Sequence, residues 1–167
     1  MEEQGENALT EKIIGAAIEV HRHLGPGLLE SIYEECLCYE LSQLGLQFQR
    51  QVYVPITYKG LKLESTYKMD LVVEDVIVVE IKATEAPSPI HHSQLLTYLK
   101  VSNKRVGLLI NFNVAVLKNG LKRVVNEYIG PSPARNLSSP LSETPRLPPR
   151  LRVSASDSKP APAKEPL

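Results

Sequence analysis

Three ionisable residues interrupt two apolar, β-type runs near the middle of the chain, and they constrain the fold more than any other feature. The runs predict strands over residues 62–73 and 76–83, separated by a Glu-Asp pair. Asp70 lies in the first run, and Glu80 and Lys82 lie in the second. A charge in a buried strand is costly unless it is paired or binds a metal. Any fold of this chain must therefore pair these charges with one another or let them bind a metal ion.

The register between the two strands decides whether the three charges meet. Side chains alternate between the faces of a strand, so Glu80 and Lys82 share one face. By the same rule, Asp70 shares a face of its own strand with Lys68 and Val72. A regular two-residue turn would put the two carboxylates on opposite faces. A loop with an odd number of residues, or a β-bulge, would set Asp70 opposite Glu80. The sequence leaves both registers open.

Two carboxylates that meet in this way would offer the hard oxygen ligands that Mg²⁺ prefers. Water bound to a metal ion is a better nucleophile, and the ion also stabilises charge that develops on a phosphate. Lys82 could orient that water or the scissile phosphate. The alternative is a salt bridge of Lys82 with Glu80 or Asp70 at the end of a partly exposed strand.

Two predicted helices carry further candidate site residues. Glu30 lies near a helix N-terminus, where the helix dipole favours an acid, and it could equally point into a cation site. On another helix, His91, Gln94 and Tyr98 share one face and could hold a substrate phosphate or base. The alternative for that helix is that Tyr98 belongs to the core and Gln94 covers a sheet edge.

The order of the predicted elements indicates one mixed α/β domain over residues 10–130. Residues 1–8 are mostly polar, and residues 1–9 are expected to be frayed. Hydrophobic periodicity and turn residues predict helices over 10–24, 28–44 and 89–101, strands over 47–58, 62–73, 76–83 and 105–112, and a hairpin over 114–125.

The composition changes after residue 130. Nine of the 13 prolines lie in residues 131–167, together with many serines and no aromatic residue. Such a segment cannot bury enough apolar area to offset its ordering entropy, so we expect it to be disordered. Its formal charge is +3, which leaves −3 for residues 1–130. An acidic folded part suits a cation site better than binding of nucleic acid by charge alone.

The chain has no N-terminal apolar segment typical of a signal peptide and no apolar run near ~18 residues. Its two cysteines, Cys36 and Cys38, point apart on a helix, so a mutual disulfide is not expected. These features predict a cytoplasmic protein with no membrane partner.

Taken together, the motifs resemble the GxxExxY protein family, which is placed in the PD-(D/E)xK nuclease-like superfamily. The resemblance covers roughly residues 10–127. Its motifs are Gly27-x-x-Glu30-x-x-Tyr33, Lys68-Met-Asp70, Val79-Glu80-Ile-Lys82-Ala83, Pro89-Ile-His91-His-Ser-Gln94-Leu-Leu-Thr-Tyr98-Leu-Lys100 and Gly107-Leu-Leu-Ile-Asn111-Phe112.

The resemblance implies a restriction-endonuclease-like core, in which a mixed central sheet is flanked by helices. It also implies hydrolysis of DNA or RNA phosphodiester bonds with Mg²⁺ or Mn²⁺ as cofactor. The implied metal ligands are Asp70, Glu80 and Glu30, and the catalytic lysine is Lys82. Gln94 and Tyr98 are similar to a Gln-x-x-x-Tyr motif of the superfamily.

The chain departs from the superfamily pattern at two positions, because Met69 replaces a proline and Lys68 replaces an arginine. Neither position carries an implied catalytic group. A non-catalytic module that binds nucleic acid or protein on the same fold stays open. So do a protein partner, a homodimer and any partner of the tail.

Overall fold

The computed structural model describes residues 2–86 and 88–127. The tail expected over residues 131–167 lies outside the described residues. In chain order the elements are α1 (Glu2–Leu24), α2 (Glu30–Gln43), β1 (Phe48–Tyr58), β2 (Leu61–Val73), β3 (Ile77–Lys82), α3 (Pro89–Ser102), β4 (Val106–Asn111), a 3-10 helix (Leu117–Gly120) and β5 (Leu121–Val125).

The strands of the described part form a five-stranded mixed sheet in the order β1-β2-β3-β4-β5. Strands β3 and β4 are parallel and are joined by α3, whereas the other neighbouring pairs are antiparallel. One core lies between the sheet and helices α1 and α2, and a second lies between the sheet and α3. Strand β3 is covered on both faces, which explains its nearly continuous apolar sequence.

The start of α2 is fixed by the core beneath it. Tyr33 is fully buried and stacks on Phe112, with 4.4 Å between the ring centroids. Its hydroxyl donates to the carbonyl of Gly25 at 2.7 Å and accepts from the amide of Leu28 at 3.1 Å. The turn that precedes α2 is therefore tied to a buried aromatic pair, which sets the position of Glu30.

Helix α1 begins at Glu2, so the expectation that residues 1–9 are frayed is wrong for the described residues among them. Two of these polar residues have partners: the carboxylate of Glu6 accepts a hydrogen bond from Arg105, just before β4, at 3.1 Å, and Asn7 Oδ1 accepts one from Arg123 of β5 at 3.1 Å. No helix in the described part is long and apolar enough to cross a membrane.

The predicted hairpin over residues 114–125 is also wrong, because only Leu121–Val125 forms a strand and its partner is β4. Leu117 is 3% exposed and belongs to the core beneath α1 and α2. Gly120 packs so closely on the carbonyl of Asn111 that a Cβ there would overlap its oxygen. The segment therefore packs inward as a 3-10 helix. Apart from the start of α1, which lies eight residues before the predicted position, the remaining predicted elements agree with the structure to within two residues at each end.

Candidate active site

The loop between β2 and β3 has three residues, which is the odd length that the metal hypothesis requires. Val73 pairs with Ile77, and the ladder continues for two more pairs in the same register. The first two loop residues have φ angles of 51° and 55°, and the amide of the third donates to the carbonyl of Val73 at 2.9 Å. The ladder ends at Leu71 and Val79, and one further step in this register would set Asp70 opposite Glu80.

The ladder between β1 and β2 is distorted beside Asp70. Its neighbours Leu71 and Met69 both pair with β1, but Gln51, which lies between their partners, has a φ of 52°. The side chains change faces at this point. Leu71 belongs to the core beneath α1 and α2, whereas Met69 belongs to the core beneath α3. Asp70 therefore lies where the normal alternation of β2 is broken.

This break corrects one prediction. Lys68, Asp70 and Val72 were expected to share a face, but Val72 is buried in the core beneath α3. Lys68 instead lines a groove on the other side of the sheet, beside Glu30 of α2. Alternation applies only to a regular ladder, and the ladder is distorted here, where Gln51 of β1, opposite Asp70, has a left-handed backbone.

Two carboxylates occupy the edge of β3 where its pairing with β2 ends. Asp70 Oδ2 accepts a hydrogen bond from the amide of Ile81 at 2.8 Å. Glu30 Oε1 accepts one from the amide of Ala83 at 3.1 Å. An unpaired amide at a strand edge needs an acceptor, so these bonds give both acids a structural role. They also bring an acid from β2 and an acid from α2 to the same short edge.

Glu80 and Lys82 form the contact that the salt-bridge alternative predicts. Lys82 Nζ donates to Glu80 Oε1 at 2.7 Å, and the side chains are 14% and 3% exposed, respectively. Glu80 Oε2, however, is buried with no hydrogen-bond partner. A buried carboxylate oxygen without a partner is expensive, so the ion pair explains only half of this side chain.

The electrostatics of the cluster disfavour two ionised carboxylates. Burial raises the pKa of Glu80 to about 7, the charge of Asp70 adds to the rise, and Lys82 opposes it. Burial also raises the pKa of Asp70, against the effect of the Ile81 amide. Burial by itself would lower the pKa of Lys82, but the bond to Glu80 and the surrounding acids raise it overall. The site therefore holds an excess of negative charge that a cation would relieve.

Two of the three α3 candidates lie beside this cluster. Tyr98 is 3% exposed, and its hydroxyl accepts a hydrogen bond from the amide of Gln94. Burial raises the pKa of Tyr98 and the hydrogen bond with Gln94 opposes the rise; the charges of Glu80 and Asp70 add to it, and the charge of Lys82 opposes it. Tyr98 is thus both a core residue and an electrostatic neighbour of the acids.

His91 contributes to the end of its own helix. Its Nδ1 accepts a hydrogen bond from the amide of Ser88 at 3.4 Å, and Ser88 Oγ accepts one from the amide of Ile90 at 3.3 Å. This reciprocal arrangement is a capping box. The role of His91 in substrate binding stays a prediction, since this ring nitrogen already has a partner.

The carboxylates of Asp70 and Glu80 suit a divalent cation, although the protein does not supply a complete set of ligands. Among residues 2–86 and 88–127, no three or more His, Cys, Asp or Glu side chains are grouped as a ready metal site. Mg²⁺ usually takes one or two carboxylates and keeps several waters, so a complete protein cage is not required. Asp70 and Glu80 supply such carboxylates, and one buried oxygen of Glu80 lacks a partner.

Sequence reasoning missed a second acid of α2 and its partners. Glu34 is 6% exposed; its Oε1 accepts from Arg50 Nε at 2.7 Å, and its Oε2 accepts from Gln51 Nε2 at 2.5 Å. These residues line an open groove of about 360 Å³ together with Glu30, Lys68 and Asp70. A signal was present, because acids at positions 30 and 34 are i, i+4 neighbours that repel unless each has a partner elsewhere.

The chain matches the family model of the PD-(D/E)XK nuclease superfamily over residues 7–124. The match covers more than half of the sequence, and the protein belongs to this superfamily. The predicted superfamily and its mixed α+β fold are thereby confirmed, and the narrower GxxExxY assignment stays a prediction. No curated protein and no solved structure matches the chain.

Proposed function

We propose that this protein is a metal-dependent nuclease that hydrolyses phosphodiester bonds of DNA or RNA. The observation that carries the proposal is the buried Oε2 of Glu80, which has no partner and lies in a chain of a nuclease superfamily. A bound Mg²⁺ or Mn²⁺ would give that oxygen a partner and reduce its repulsion with Asp70. In this proposal Asp70 and Glu80 hold the ion and Glu30 supports it.

The roles of the remaining residues follow from where their polar groups lie. When bound, the ion would lower the pKa of a water molecule and stabilise charge on the phosphate. Lys82 is held at 2.7 Å by Glu80 and is 14% exposed, so its ammonium is positioned but accessible. Lys82 would orient the attacking water or the scissile phosphate. Gln94 and Tyr98 would orient the substrate beside it.

The test is a cleavage assay with the full chain on single- and double-stranded DNA and RNA, in Mg²⁺ or Mn²⁺ and in EDTA. Cleavage should require the metal ion. Asp70→Ala and Lys82→Ala should each lower the rate by about 100-fold or more. Lys62→Ala, at an exposed lysine of β2, is the matched control and should cleave like wild type. The proposal fails if no substrate is cut in a metal-dependent way, or if both site variants remain fully active.

A non-catalytic module that binds nucleic acid or protein is the second candidate. It is favoured by the hydrogen bonds that Glu30, Asp70 and Glu80 already accept within the protein. Calorimetric titration with Mn²⁺ separates the two candidates, because the nuclease must bind the ion and the module need not. Wild-type protein that gives no binding heat with Mn²⁺ favours the module.

A further inference from the structure

The groove beside Asp70 contains a charged arrangement that the proposed hydrolysis does not use. Its centre is Glu34, whose two oxygens are each engaged, one by Arg50 and one by Gln51. The Glu34 side chain is 8% exposed, whereas the Arg50 side chain is 43% exposed. The pair thus joins a buried acid to an accessible guanidinium on the wall of the groove.

The backbone of β1 is distorted in a way that serves this arrangement. Successive residues of a regular strand point to opposite faces, so Arg50 and Gln51 could not both reach Glu34 from an extended strand. They do so because Gln51 has a φ of 52°, which a residue other than glycine rarely adopts. Glu34 therefore holds a strained conformation in place, and such strain is concentrated at functional sites.

Most of the Arg50 guanidinium is left unused. A guanidinium carries five N–H donors, and Arg50 gives the one on Nε to Glu34. The donors on its two terminal nitrogens have no partner within the described part of the chain. Lys68, which is exposed on the same groove, likewise has no hydrogen-bond or ion-pair partner among the described residues.

We propose that Arg50, with Lys68, binds a backbone phosphate of the nucleic acid next to the phosphate that is cleaved, and that Glu34 positions Arg50. This inference rests on the proposed function and adds a substrate subsite to it. A guanidinium fork matches the geometry of a phosphate, and an arginine already anchored by one bond loses less freedom when it binds. The groove also carries Glu30 and Asp70, so an anion would bind best when a divalent cation offsets their charge.

The test measures equilibrium binding rather than cleavage. The full chain with Lys82→Ala, in Mg²⁺, is titrated into fluorescent single-stranded DNA and RNA probes of one sequence, over a range of NaCl concentrations. Adding Arg50→Gln should weaken binding by about tenfold, as loss of a charged hydrogen bond implies. It should also reduce the slope of log K against log[salt] by about 0.7, the value for one phosphate contact on a single strand.

Glu34→Gln distinguishes phosphate binding from a purely structural ion pair. It removes the buried charge but keeps a side-chain oxygen that can still accept from Arg50 Nε, so Arg50 stays positioned and probe binding should stay within about twofold of the parent. Lys62→Gln is the control for an exposed cation away from the groove, and thermal unfolding checks that each variant is folded. If Arg50→Gln does not fold, Arg50→Lys replaces it and should weaken binding while leaving the salt slope unchanged, because it keeps the charge and loses the fork.

Three results would overturn the subsite. They are unchanged affinity and slope in Arg50→Gln, equal losses in Glu34→Gln and Arg50→Gln, and no binding of either probe by the parent. The subsite and the nuclease proposal can fail separately. Metal-dependent cleavage together with normal probe binding by Arg50→Gln would reject only the subsite. Absence of cleavage, together with the predicted difference between Arg50→Gln and Glu34→Gln, would support the phosphate site and reject the nuclease proposal. The probe that binds more tightly shows whether the phosphates come from DNA or RNA.

Discussion

Asp70 Oδ2 accepts a hydrogen bond from the amide of Ile81 at 2.8 Å, at the point where β2 and β3 stop pairing. The same residue lies opposite the left-handed Gln51 of β1, at the point where the side chains of β2 change faces. Asp70 therefore supplies an acceptor for an unpaired amide at the edge of β3, and it lies where the ladder between β1 and β2 is distorted. Its structural role needs only a hydrogen-bond acceptor, whereas its candidate role as a metal ligand needs a negative charge. Substitutions can therefore separate the two roles.

Asp70→Asn should keep the bond to Ile81 and lose the charge, whereas Asp70→Ala should lose both. We expect Asp70→Ala to lower the metal-free free energy of unfolding by about 1–3 kcal/mol, since it leaves a sheltered amide without an acceptor. Asp70→Asn should be at least as stable as wild type, because burial disfavours the charged form of Asp70 and raises its pKa, and this variant should fail to bind Mn²⁺. Urea unfolding and calorimetry measure the two quantities. Equal destabilisation by both substitutions would show that the bond to Ile81 contributes little.

The sequence was sufficient to predict that Glu80 and Lys82 share a face, because β3 is short, extended and paired on both sides. It reduced the position of Asp70 to two registers, and the three-residue loop after Val73 decides between them. The distortion at Gln51 could not be predicted, since glutamine carries no preference for a left-handed backbone. That conformation depends on Glu34, a contact between elements that local sequence patterns do not reveal.

The failed hairpin prediction has a similar origin. Asn119-Gly120 is a typical hairpin turn in sequence, but Gly120 is needed here for close packing on the carbonyl of Asn111. The two uses of glycine look identical in a sequence. Only the burial of Leu117 in the core beneath α1 and α2 distinguishes the two uses, and that burial depends on the complete fold.

Alanine substitutions at two glycines should therefore have opposite effects on stability. Gly120→Ala forces a Cβ onto a backbone oxygen and should lower the free energy of unfolding by about 1–3 kcal/mol. Gly15→Ala is the matched control within α1, where nothing lies within 4 Å of the added atom. It should raise the free energy of unfolding by about 0.5–1 kcal/mol through helix propensity. Urea unfolding measures both, and a neutral Gly120→Ala would contradict the packing described for this segment.

The raised pKa of Glu80 predicts how the stability of the metal-free protein depends on pH. The pKa of this carboxyl has its ordinary value of 4.5 in the unfolded chain and rises to about 7 in the folded protein. As pH rises through this range, the unfolded chain loses its proton first, so the contribution of this group to stability is complete below about 4.5 and is lost by about 7. The loss should be of the order of 3 kcal/mol. Glu80→Gln cannot ionise and should lack this component.

The measurement is urea unfolding in EDTA at several pH values, with wild type and Glu80→Gln compared at each. The difference in unfolding free energy between the two proteins isolates the effect of Glu80 from that of other groups with a raised pKa, such as Asp70. Glu80→Gln should be the more stable protein at pH 8, and the gap should narrow towards pH 5. A gap that does not change with pH would mean that Glu80 is already ionised in the folded protein at low pH.

The same carboxyl makes the proposed metal binding depend on pH in the opposite direction. A cation binds the ionised form, so binding to protein with a protonated Glu80 must release that proton. The affinity for Mn²⁺ should therefore rise between pH 6 and pH 8, around the pKa of about 7. Calorimetry in two buffers with different ionisation enthalpies should show proton release at pH 6 that fades at pH 8. Glu80→Gln should bind weakly without this proton release, and Glu127→Gln, at an exposed acid, should titrate like wild type. Mn²⁺ binding that releases no proton at pH 6 would show that the ion does not engage Glu80.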